Sequence, residues 1–261
     1  MIVPLGAQSE RLTRVASLKT AKGRRRHKQF AFEGTTLLAE ALRAGTAIDE
    51  LYATQAALDD HADLADQASG IPVYIVSDRS FAKISDVESP PGLLAVAPAQ
   101  QTALEALLGG VGLVAVLAGL NDPGNAGTLL RSAEAFEARG AVFGEGGVDP
   151  FSPKVVRAGM GAFFRLKIAV ATPADFARAA TANGFIAIGL RAGAQPLDGL
   201  EWPERTALVV GHERHGLGPW EALCERFAGI PTGGDAESLN AAVAGSIAFY
   251  EAARSAGKRL G

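Results

Sequence analysis

From about residue 111 onward, short apolar runs recur with helix-length stretches between them: LVAVL, AVFG, RLKIAV, FIAIGL, TALVVG and FAGIP. Apart from RLKIAV, these runs are largely apolar along their length rather than at alternate residues, as in a strand buried on both faces. A helical spacer between two such strands makes them parallel neighbours. The expected core is therefore an α/β fold, a mostly parallel sheet covered by helices on both faces. Sheets of this kind bind ligands in the loops beyond the carboxyl ends of their strands. Those loops are where chemistry is to be sought.

The first hundred residues read differently. FAFEG, the helical TTLLAEALRAG ending at Gly45, IDELYAT, VYIVS and GLLAVAPA mix short strands and helices within a small α/β domain, residues 1–98. PAQQTALEALLGG then supplies alanine, glutamine and paired glycines, a linker over 99–110 with one short helix. The larger domain occupies 111–261. A chain of 261 residues has length enough for two such cores.

Several classes are disfavoured by composition. The longest weakly charged stretch, ALLGGVGLVAVLAGL, is too short and too glycine-rich to span a bilayer. The opening MIVPLGAQSE lacks the basic then apolar layout of a secretory leader, and the single Cys224 excludes an intramolecular disulfide. A reducing cytoplasm is the expected compartment. The net charge of -3 argues against a uniformly basic polyanion binder, yet KTAKGRRRHKQF concentrates Lys19, Lys22, Arg24, Arg25, Arg26 and Lys28 without an acid. Two readings stay open for this cluster: a solvated or partly disordered basic loop, or a surface that releases counterions from RNA.

Three strand-end loops carry the candidate residues. NDPGNAGTLLR follows LVAVL; Asn125 is placed to cap the next helix, whose Leu129, Ala133 and Phe136 share a face that Arg131 avoids. It departs from G-x-G-x-x-G, which leaves a nicotinamide site as a distant third reading, and no G-K-[ST] follows, so a Walker loop fails. VVGHERHGLG brings His212, Glu213 and His215 together, but the histidines are three apart where a zinc helix needs four, and no metal is expected. Gly211, Gly216 and Gly218 point instead to backbone close to a ligand or to a sharp turn. IPTGGDAESLNAAVAGSIAFYEAARSA leaves a strand at Ile230 and Pro231 and enters a long helix that Ser238 or Asp235 is placed to cap, with Asn240 in its first turn.

Taken together, NDPGNAGTLLRSAEAF, LVVGHERHGL and IPTGGDAESLNAAVAGSIAFYE resemble the three ordered motifs of the SpoU (TrmH-like) family of SPOUT RNA ribose methyltransferases. The resemblance extends to SPKVVRAGMGAFFRLKI and, through FAFEG and PPGLLAV, to the small ribosomal-protein-like RNA-binding domain of that family. It implies methyl transfer from S-adenosylmethionine to a ribose 2'-hydroxyl, in ribosomal RNA by preference and transfer RNA as the alternative. It also implies a trefoil knot and a homodimer. Catalysis falls to Arg131, Asn125, Glu213 and Asn240, and cofactor binding to Gly211, Ile230, Leu239 and Ser238. RNA capture falls to Lys22, Arg24, Arg25, Arg26 and Lys28. The chain departs from the pattern at Thr232, Ala242 and Gly159, where methionine, serine and serine are usual. A non-catalytic RNA-binding protein on the same fold is the competing class.

A guanidinium is a poor base in water. Two roles for Arg131 remain open: a base deprotonated by its pocket, or a cation that holds the developing alkoxide and a phosphate.

Overall fold

The computed structural model describes residues 2–233 and 239–257. They divide into two compact units, Met1–Gln100 with Phe151–Phe164, and Gln101–Pro150 with Arg165–Gly261.

The first unit runs β1 (Ile2–Pro4), α1 (Glu10–Ser17), α2 (Ala21–His27), β2 (Gln29–Glu33), α3 (Thr35–Arg43), β3 (Glu50–Ala53), α4 (Gln55–Asp60), α5 (Ala62–Gln67), β4 (Val73–Ile75), α6 (Asp78–Ile84) and β5 (Leu93–Pro98). Its sheet has the order β1-β4-β3-β5-β2, with β5 antiparallel to both its neighbours. Leu12 and Val15 of α1 pack with Phe81 and Ile84 of α6 in one buried cluster. Phe30 and Phe32 project from one face of β2, as residues two apart must. They meet Phe151, Phe163 and Phe164, with ring centroids 5.4 Å (Phe30–Phe151), 5.5 Å (Phe30–Phe163) and 4.9 Å (Phe32–Phe164) apart. This aromatic cluster is what groups the segment 151–164, far along the chain, with the first unit.

The basic stretch is a helix rather than a partly disordered loop, and most of its cations are solvated. Thr20 caps α2 through the Gly23 N–H, and Lys28 ends it in the left-handed conformation. α2 also lies hard against the end of α1: a Cβ on Gly23 would stand 2.0 Å from the Ser17 carbonyl oxygen. Arg24, expected among the RNA-facing cations, is 5% exposed and donates to the Leu18 and Lys19 carbonyls at 2.8 and 3.0 Å. Those carbonyls lie just past the end of α1, so Arg24 ties the two helices together. Lys22, Arg25, Arg26 and Lys28 are exposed.

The second unit holds α7 (Leu104–Leu108), β6 (Gly112–Ala118), α8 (Pro123–Ala135), β7 (Gly140–Gly144), then, beyond α9 (Pro153–Arg165), β8 (Lys167–Ala171), α10 (Pro173–Asn183), β9 (Ile186–Pro196), β10 (Arg205–Gly211), β11 (Arg226–Gly229) and α11 (Ala241–Ser255). Nearly all of α9 belongs to the first unit. Its Met160 interrupts it with φ 50 and ψ -141. The strand order is β11-β9-β10-β6-β7-β8 and every pair is parallel. Val114, Val116, Val142, Ala207 and Val209 form one layer of its core with Leu107, Phe176 and Trp220.

Two of the expected helical spacers are absent. β9 to β10 and β10 to β11 are joined through 3-10 turns at Leu197–Gly199 and Gly218–Leu223. Pro203 and Pro219 sit in these short connections, where a longer helix would lack an N–H. β9 pairs with β10 only over Ile186–Gly189, so residues 190–204 supply the length that a parallel crossover needs. From β6 the chain moves outward to β7 and β8, then returns to the other side of β10. The crevice between the carboxyl ends of β6 and β10 is thus the switch point of the sheet, where ligands bind in such folds. No described helix is long and apolar enough to cross a membrane.

Candidate functional site

Beyond β6 the chain turns at Gly119 and Asp122 caps α8, its carboxylate accepting from the Asn125 N–H at 2.7 Å. The cap is Asp122 rather than Asn125, and the Asn125 side chain is left free to point elsewhere. Its Nδ2 donates to Glu213 Oε1 in the loop after β10. Its Oδ1 accepts from Asn240 Nδ2 at 3.1 Å. Asn240 in turn caps α11, its Oδ1 accepting from the N–H groups of Ala242 and Val243 at 2.9 and 3.2 Å. Three loops far apart in sequence are joined by one chain of side chains, Asn240 to Asn125 to Glu213. Both ends of the Asn125 amide are engaged, so its orientation is fixed.

Glu213 stands in a small hairpin closed by mutual backbone bonds between His212 and Gly216, at 2.8 and 2.9 Å. The Arg214 N–H donates to His212 Nδ1 at 3.0 Å. The same nitrogen stands 3.7 Å from Glu213 Oε2. Among the described residues, the hydrogen bond to the Glu213 carboxylate comes from Asn125. The His212 and His215 rings lie 4.7 Å apart, and among the described residues no cluster of three metal-ligating side chains forms.

Beside this chain opens a cavity of about 470 Å3. Gly211, Ile230 and Leu239 line it, as does Glu213 at its polar side. Val210, Leu217, Pro231, Ala241 and Ala244 complete an apolar wall. Its size falls in the range of small-ligand sites, about 300 to 1,000 Å3. An apolar slot for a nucleoside with a carboxylate at one side fits S-adenosylmethionine, which carries its charge on a sulfonium. Ser238 lies outside the described residues. Of the departures from the family pattern, Thr232 lines the cavity, whereas Ala242 is buried and its carbonyl accepts from Ser246 Oγ at 2.7 Å.

Arg131 is placed apart from these groups. Six residues beyond Asn125 on α8, it points about 120° away around the helix. It is exposed, with no hydrogen bond or ion pair among the described residues. α8 packs on α11 through Ser132 Oγ and Ser246 Oγ at 2.6 Å, and through Phe136 and Tyr250 with centroids 5.7 Å apart. On α11 an apolar row is left uncovered: Val243, Ile247 and Tyr250 are 47%, 39% and 45% exposed.

One wall of the cavity escaped the sequence reading. The β9–β11 register jumps from Gly189 opposite Phe227 to Gln195 opposite Ala228, so residues 190–194 are extra on β9. Leu190, Arg191, Ala192 and Gly193 of this excursion line the cavity, facing Glu221 from the turn after β10. The signal was GLRAGAQP, glycines continuing a strand pattern, which marks a bulge.

Comparison with known proteins agrees with the fold. Residues 112–250 match the SpoU rRNA Methylase family, and residues 9–95 match the MRM3-like substrate binding domain. The chain is 30% identical to the 23S rRNA (guanosine(2553)-2'-O)-methyltransferase RlmP of Bacillus subtilis (strain 168), covering 94% of this chain and 96% of that one. It is 27% identical to the mitochondrial rRNA methyltransferase 3 of Xenopus tropicalis, covering 94% and 74%. An AdoMet-bound rRNA methyltransferase from Sinorhizobium meliloti superposes with a TM-score of 0.86 at 27% identity, over 97% of this chain and 98% of that one.

Proposed function

The chain belongs to the SpoU rRNA methylase family, and on that premise we propose that it methylates a ribose 2'-hydroxyl of ribosomal RNA at the β6–β10 crevice. S-adenosylmethionine supplies the methyl group, on a sulfonium sulfur. The observation that carries the reading is the Asn240–Asn125–Glu213 chain at the edge of an apolar cavity.

Each residue has work suited to its place. Leu239, Ile230 and the Gly211 backbone hold the adenosine by apolar and main-chain contact. Glu213, immobilised by Asn125, sets a carboxylate where positive charge is to be bound. Its fixed position also lets it orient the ribose hydroxyl, and positioning is a large share of what such a transfer needs. Arg131, unpaired among the described residues, offers a planar fork to the oxygen or to the flanking phosphate. The assignment is tested by calorimetry with S-adenosylhomocysteine, followed by transfer of a labelled methyl to ribosomal and transfer RNA. Tight binding with label on neither RNA would favour the non-catalytic class, and label on transfer RNA alone would move the substrate.

RNA capture is assigned to the first unit and its exposed Lys22, Arg25, Arg26 and Lys28, without Arg24. Replacing these four by glutamine should weaken RNA binding and reduce the salt slope by about three, at roughly 0.7 per phosphate contact on single strands. Cofactor affinity should not change. An unaltered slope in a filter-binding titration would return the cluster to a plain solvated surface.

The working form is proposed to be a homodimer. The uncovered Val243, Ile247 and Tyr250 row, beside α8, is an apolar stripe of the kind that marks an interface. Arg131 lies on the same helix pair. Ile247→Glu should convert the protein to monomers in sedimentation velocity at unchanged thermal stability of each chain, and a wild-type protein that sediments as a monomer would refute the assignment.

A further inference from the structure

Among the residues lining the cavity stands a charged pair. Arg191 Nη1 donates to Glu221 Oε1 at 3.0 Å, and both residues line the cavity. The Arg191 guanidinium also lies over the Phe227 ring, 4.1 Å from its centroid. The two side chains are 52% and 49% exposed, so their attraction contributes little to folding. Their supports are nevertheless rigid. Glu221 follows Trp220, which is buried against Phe176 at 5.7 Å between centroids. Arg191 sits on the excursion of β9, whose carbonyl is packed against Gly229 so closely that a Cβ there would lie 2.8 Å away. A strand has been lengthened at a cavity wall, and it displays a cation that the fold does not need.

We propose that Arg191 and Glu221 bind the amino-acid end of the cofactor, Arg191 taking the α-carboxylate and Glu221 the α-ammonium. This rests on the reading of the cavity as the S-adenosylmethionine site. A zwitterion carries both charges on one carbon, and an ion pair at hydrogen-bond distance presents the complementary charges at matching spacing. The planar guanidinium offers two parallel donors to a carboxylate, and Phe227 fixes its plane. The remaining lining is mostly apolar, with His212, Glu213 and Thr232 as its polar members, and suits the adenosine. Holding the two ends of the ligand apart leaves the sulfur between them, towards Glu213.

The test uses two ligands with the full chain: S-adenosylhomocysteine, and 5'-methylthioadenosine, which keeps the thioether nucleoside but lacks the amino acid. By calorimetry, Arg191→Met should weaken S-adenosylhomocysteine binding about tenfold or more and leave methylthioadenosine nearly unchanged. Glu221→Gln should act in the same direction. Retained methylthioadenosine binding shows that the variant is folded. Equal losses for both ligands, or no loss for either, would overturn the proposal while leaving the cavity assignment standing. A wild-type protein that binds neither ligand would overturn both.

Discussion

Lysine in place of Arg131 should lower the rate of methyl transfer by about a hundredfold or more, the scale seen when one preorganised charge donor is removed from a reacting centre. Affinity for S-adenosylhomocysteine should hardly move. The split follows from where Arg131 stands. It is outside the cavity lining and makes no hydrogen bond or ion pair among the described residues, so its loss disturbs neither cofactor nor fold. A planar fork that can grip two oxygens is replaced by a point charge, which keeps attraction but loses direction. Single-turnover kinetics with saturating cofactor would read the chemical step directly. Near-normal turnover would exclude Arg131 both as base and as oxygen anchor, and a large loss of cofactor affinity would place it in the wrong site.

What could be read from the sequence follows from what each signal depends on. Asn125, Glu213 and Asn240 stand in segments that leave the carboxyl ends of apolar strands, and parallel pairing carries those ends to one edge of the sheet. Their hydrogen-bonded chain was not legible, because it depends on Asp122 taking the cap and releasing the Asn125 side chain. Charge along the chain located the basic cluster but not the direction of its members. Arg24 turns inward because two carbonyls past the end of α1 need a donor, a local geometric demand that composition does not record. The excursion at 190–194 depends on a register jump between β9 and β11, a property of the pair rather than of either strand. The return of 151–164 to the first unit rests on rings that meet Phe30 and Phe32, contacts between residues more than a hundred apart.

Alanine at Gly211 should weaken S-adenosylhomocysteine binding about thirtyfold, more than it harms the fold. Gly211 ends β10, and a Cβ there would stand 2.3 Å from the Gly216 carbonyl oxygen, 2.5 Å from its carbon and 2.8 Å from the Leu217 nitrogen. All three are backbone atoms, so no rotamer change relieves the clash. The cheapest response is to open the His212–Gly216 hairpin, breaking its two backbone bonds. Glu213 then leaves Asn125, and Leu217 leaves the cavity wall. Overpacking of this kind costs on the order of 1 to 3 kcal/mol. If the free protein relaxes by opening, the ligand must close the hairpin again, and about 2 kcal/mol of closing work is roughly thirtyfold in affinity. The melting temperature should fall by only a few degrees, since the strain is released into a surface loop and the sheet beneath it is kept. Calorimetry beside a thermal melt separates these effects. A variant with normal affinity would show that the loop after β10 is not part of the cofactor site, whereas a collapse in melting temperature would make Gly211 a folding residue first.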